Sequence, residues 1–126
     1  VRHWRWQAAR HHTAARHWQT RAGGTPATNQ ALGQALARQH NWTGPQWACL
    51  RRLWQHESGW NHHARNPTSG AWGIGQFLGA TAHAYAPHGA LSPHPARQIT
   101  AGLAYVKARY RTPCAAWTFW THHHWY

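Results

Sequence analysis

Acidic side chains are almost missing from this sequence of 126 residues: there is no Asp, and Glu57 is the single Glu. Catalysis that needs two carboxylates, as an acid–base or acid–nucleophile pair, therefore cannot be assembled within the chain. Salt bridges cannot stabilise the fold except through Glu57 or the chain terminus. Met is absent as well, and neither an initiator Met nor a signal peptide is visible, which reads as a mature or truncated piece of a longer product. No hydrophobic run approaches membrane-span length. Cysteine is scarce, and Cys49 and Cys114 stand too far apart for a CxxC metal or redox motif. Two buried thiols, a nucleophile with a His partner, or a disulfide remain; the last would close a loop of about 65 residues and stabilise by about 4 kcal/mol. There is no internal repeat and no alternating strand pattern longer than a few residues, so the fold class is all-α.

What the chain does have is positive charge and tryptophan. Lys plus Arg number 13, for a formal charge of +12, and there are 11 Trp. Such charge bears on partners rather than on fold, and the partners it suits are polyanions: nucleic acid, anionic lipid or acidic wall polymers. The length suits one domain with a real core. Residues 1–27 differ from the rest: Arg and His interleave with Trp4, Trp6 and Trp18, and Leu, Ile and Phe do not occur. This stretch reads as a basic arm closed by the linker Gly23-Gly24-Thr25-Pro26, with the domain proper at 28–126.

From there the spacing predicts helices. Thr28 or Asn29 caps one that runs to about His40, with Leu32 and Leu36 a turn apart. Thr43 or Gly44, followed by Pro45, starts a second that ends near Glu57. Residues 61–75 are turn-rich, a short helix covers about Gln76 to Tyr85, and 87–95 is a loop. Pro95 opens a helix to about Tyr110 with Ile99, Leu103, Val106 and Tyr110 in one stripe, and Cys114 to Trp120 makes a last short one.

Glu57 draws the eye within this scheme. Leu50, Leu53 and Trp54 precede it on the same helical face, so its carboxyl points toward the core, and Gly59 stops the helix just beyond. Burial and the helix C-terminal dipole both favour the protonated acid. The His62-His63 and His122-His123-His124 runs do not converge on one ion in a helix or strand, so no metal and no cofactor is expected. The glycines at 70, 73 and 75 are followed by no P-loop Lys.

Three segments, in order, resemble the motifs of the soluble lytic transglycosylase catalytic domain, whose architecture is shared with goose-type lysozyme. They are Glu57-Ser58-Gly59-Trp60, then Ser69-Gly70-Ala71-Trp72-Gly73-Ile74-Gly75-Gln76, then Gln98-Ile99-Thr100-Ala101-Gly102-Leu103-Ala104-Tyr105-Val106. The likeness covers about Gln30 to Tyr126. It is nearest to small secreted actinobacterial members, which pair a Cys before the Glu helix with one in a Thr-Pro-Cys segment, in this chain Cys49 and Cys114. Larger members carry a further Tyr-Asn-Ala-Gly motif downstream, where this chain has only Trp117 to Tyr126.

The resemblance implies a lysozyme-like domain, secreted or wall-associated, that cleaves the MurNAc-β-1,4-GlcNAc bond of peptidoglycan as a monomer. Glu57 would be acid and then base; Ser58, Gln76 and the backbone of Gly73, Ile74 and Gly75 would line the sugar groove; Tyr105 would orient the carboxylate. Trp60, Trp72 and Phe77 are candidates for stacking on sugar rings. Hydrolysis by the usual routes needs two carboxylates, whereas this chain has one. The substrate's own C6 hydroxyl can do the second job, leaving a 1,6-anhydro end. The rival reading is a catalytically inactive cationic module gripping wall polyanions, nucleic acid or anionic membrane through Arg and Trp.

Overall fold

A computed structural model describes residues 24–85 and 93–126, so residues 1–23 of the basic arm and most of the 87–95 loop lie outside the described residues. Five helices account for most of what is described: α1 Pro26–Arg38, α2 Pro45–Ser58, α3 Gly79–Tyr85, α4 Pro95–Tyr110 and α5 Pro113–His123. Apart from two isolated bridges, Arg65 with Trp72 and Trp72 with Phe77, no strand pairing interrupts them among the described residues. The all-α expectation holds.

Helix starts follow local chemistry closely. Thr25, not Thr28 or Asn29, caps α1: Thr28 N donates to Thr25 Oγ1 at 3.1 Å, and Thr25 N donates back to Thr28 Oγ1 at 2.7 Å. This reciprocal pair satisfies two donors at once, and Pro26 has no N–H to leave stranded. Gly24 is buried and Thr25 is the cap, so the end of the expected linker belongs to the folded unit. Asn29 is buried instead, its Nδ2 donating to the Trp60 carbonyl at 2.9 Å.

Helix α2 starts after Gly44 and ends as expected. Gly59 takes the left-handed conformation (φ 63) and its N–H reaches Gln55 O at 3.0 Å, meeting one of the carbonyls a helix end exposes. The short helix begins at Gly79 rather than Gln76, because Gln76 turns left-handed (φ 59) and Phe77 exchanges two backbone bonds with Trp72. Helix α4 buries the stripe of Ile99, Leu103 and Val106. Helix α5 outruns its expected end by a turn; Thr112 caps its start by accepting from Ala115 N at 3.2 Å.

Helix α2 turns one face to the core, with Leu50, Leu53 and Trp54 at 0% exposure, and the other to solvent. It packs most extensively against α5, while α4 takes α1, α3 and α5. Two helical glycines make room for Trp rings: a Cβ on Gly33 would meet the Trp60 ring at 2.5 Å, and one on Gly102 the Trp54 ring at 2.6 Å. Cys49 and Cys114 form the disulfide, joining α2 to α5 across a sequence separation of 65. In the chain-entropy model such a cross-link stabilises by about 4 kcal/mol.

Candidate active site

Glu57 sits in the last turn of α2 and its side chain is fully buried. The apolar spacing before it does aim it inward. Its Oε2 accepts a hydrogen bond from Trp120 Nε1 at 3.0 Å, so the carboxyl is tied to α5, the helix with which α2 shares most contact. Trp120 is half-buried, stacks parallel to Trp117 (centroids 5.4 Å, interplanar 6°) and lies 5.1 Å from the His56 ring.

A second wall comes from Tyr126. Its ring is completely buried; its hydroxyl accepts from Trp54 Nε1 at 2.8 Å and donates to Gly75 O at 2.9 Å. Burial raises the pKa of this phenol well above its ordinary range, and the nearby charge of Glu57 pushes it the same way. Tyr126 therefore stays protonated as a donor, and it stands close enough to feel the acid. Tyr105 packs edge-on against it with centroids 5.5 Å apart, and its phenol is raised too, first by burial and then by Tyr110.

The third wall is the turn at residues 73–76. Gly73 takes φ +80, a conformation a side chain would strain, and a Cβ there would also strike the Gln98 amide at 2.6 Å. The turn is then held from several sides. Ser58 Oγ donates to Ile74 O at 2.6 Å, which stitches the residue after the acid to the turn. Ile74 N donates to Gln98 Oε1 at 2.9 Å, while Gln98 Nε2 donates to His62 O at 3.0 Å. Gln76 Nε2 donates to Gly73 O at 2.9 Å and to Ala64 O at 3.2 Å.

The structure thus brings Glu57, Ser58, Gly73, Ile74, Gly75 and Gln76 together at one end of α2, but it changes what some of them do. Ser58 and Gln76 have no exposed surface and direct their donors to main-chain carbonyls. Their part is to fix the turn beside the acid. Trp60 and Phe77 need correction. The Trp60 ring, at 0% exposure, lies between Trp47, Trp54 and Gly33, and Phe77, at 5%, lies against Tyr105 and Tyr126. A ring enclosed on its faces has none to offer a sugar. Trp72 keeps part of its surface exposed and remains a stacking candidate.

Sequence reasoning passes over Trp120, Tyr126 and Gln98. Gln98 stands within the third motif. Trp120 and Tyr126 give no periodic signal, since the last stretch is aromatic on every side. The family model for the transglycosylase SLT domain matches residues 34–121, which includes all three walls except Tyr126. No curated protein and no solved structure matched the chain.

Proposed function

Because the chain belongs to the transglycosylase SLT domain family, whose activity is lytic cleavage of glycosidic bonds in peptidoglycan, we propose that Glu57 carries both proton transfers of that reaction. The observation that supports it most is the one carboxylic side chain of the sequence, buried at the end of α2 in contact with α5. Burial disfavours the charged form, which suits an acid that must arrive protonated. The proton of Glu57 passes to the oxygen of the MurNAc-β-1,4-GlcNAc bond as the bond from C1 breaks. The C6 hydroxyl of the same MurNAc then attacks C1 and gives its proton to the Glu57 carboxylate, restoring the acid and closing a 1,6-anhydro ring without water. A second carboxylate is not needed for this sequence of steps.

Glu57 is covered in the free protein, so a glycan strand must displace part of the cover to reach it. His56, Trp117 and Trp120 present exposed or part-exposed surface over this end of α2 and are the side chains a sugar would meet first. Trp72 lies in the turn-rich segment and offers an indole for stacking. The cationic surface suits an enzyme held on anionic wall polymers; nucleic acid would bind the same charge without specificity.

The test compares the intact chain with Glu57→Gln on purified peptidoglycan. Release of soluble fragments by the intact chain alone, with wall binding equal for both, is the expected result. Equal release by the variant would overturn the assignment.

A further inference from the structure

Trp120 contacts the acid in a way that bears on its chemistry as well as its packing. Its indole nitrogen is 3.0 Å from Glu57 Oε2, within ordinary hydrogen-bond range. The ring has little freedom to turn away. Trp117 stacks on it at 5.4 Å and 6°, His56 lies at 5.1 Å, and His124 lies edge-on at 5.1 Å. Trp117, Trp120 and His124 share one face of α5 and its C-terminal end, at helical spacing. The donor is therefore fixed before any substrate arrives.

We propose that Trp120 is a positioning residue for the reaction: its N–H holds Glu57 Oε2, so that the proton is carried on Oε1. This rests on the reading of Glu57 as the acid. When Glu57 gives up its proton, negative charge develops over both carboxyl oxygens, and a donor already aimed at Oε2 stabilises that charge without reorganising. The same bond returns the carboxylate to one rotamer for the second proton transfer, from the C6 hydroxyl. An indole serves better than a charged donor at this position, because Lys or Arg at the same distance would hold the acid ionised. The Tyr126 phenol on the C-terminal segment is near enough to feel the charge of the carboxyl, while the His56 and His124 rings lie against Trp120.

The test uses Trp120→Phe, which keeps an aromatic ring and removes the N–H, beside Trp47→Phe, the same exchange at a part-buried indole that packs against Trp60. A third form carries a benzothiophene side chain at position 120, where sulfur replaces the N–H at nearly unchanged ring size; it serves if the Phe variant does not fold. Loss of the donor is expected to lower kcat on the order of 10- to 100-fold. KM should stay within about threefold, as for an interaction made mainly in the transition state. Loss of a donor to the charged form should also move the alkaline limb of the pH–rate profile upward by roughly half a unit or more. Trp47→Phe should show neither the kcat loss nor the limb shift.

An unchanged kcat at position 120 would overturn the proposal, and so would a loss of kcat with the limb in place. A rise in KM alone would also overturn it, making Trp120 a sugar platform only. Glu57→Gln run beside these separates the two readings: an active Gln variant removes the acid assignment itself, whereas an inactive one with fully active Trp120 variants removes only this inference.

Discussion

Tyr126 shows how one side chain can set the shape of a catalytic wall from the far end of the fold. Its hydroxyl bridges Trp54 Nε1 on α2 and the carbonyl of Gly75 in the turn, both buried. Tyr126→Phe leaves those two groups without this partner, and an unsatisfied buried polar group costs about 1–3 kcal/mol. Denaturant unfolding should show a loss in that range, and a change under about 0.5 kcal/mol would mean that water or a shifted neighbour replaces the hydroxyl. Glu57 is legible in the sequence because an acid unique in composition lies on an apolar helical face. Tyr126 is not legible for the opposite reason: hydrophobic pattern says nothing of a single residue beyond the last helix whose ring must fold back beneath α2. Ser58 follows the acid in sequence and Gln76 lies in the turn that Ser58 bonds, but which atoms they bond depends on carbonyls presented by a left-handed turn. That is a tertiary fact.

Among elements, helix boundaries are read best where capping chemistry is strict. Pro45, Gly59, Pro95 and Thr112 each mark an end by a conformational restriction or a cap bond that sequence exposes directly. The start of α1 is harder to place because Thr25 and Thr28 form a mutual pair, and either alone looks like a cap. Helix α1 is also fastened through a titrating group. His62 is buried, with Nδ1 3.0 Å from Asn29 Nδ2 on α1 and its carbonyl bonded to Gln98 on α4.

Burial first, and then the neighbouring His63, lower the pKa of His62 to about 4 from 6.5. Between those values the unfolded chain binds more protons than the folded one, so stability falls as pH falls. This contribution is intact above pH 6.5 and is lost progressively down to about pH 4, by at most about 3 kcal/mol. A proton on Nδ1 would also set two donors against each other at Asn29. Unfolding free energies at neutral and mildly acidic pH should diverge for the intact protein and less so for His62→Gln. Equal pH slopes in the two proteins would contradict this assignment.

For the molecule as a whole, charge and catalysis are separable. The described Arg and Lys side chains, Arg38, Arg51, Arg52, Arg65, Arg97, Lys107, Arg109 and Arg111, are all exposed, whereas the acid is enclosed. Exposed charges further apart than the Debye length, about 8 Å at physiological ionic strength, are largely screened. Retention on purified walls should therefore drop steeply with added salt and equally so for Glu57→Gln. Salt-insensitive retention would point instead to sugar contacts as the main source of binding. The central claim is that one carboxylic acid suffices because the substrate supplies the second group. Mass spectrometry of the soluble fragments from purified peptidoglycan tests it most directly. Fragments one water lighter than hydrolysis products, absent with Glu57→Gln, are the predicted result; fragments with ordinary reducing ends would contradict the account, since water would then have attacked C1 in place of the C6 hydroxyl.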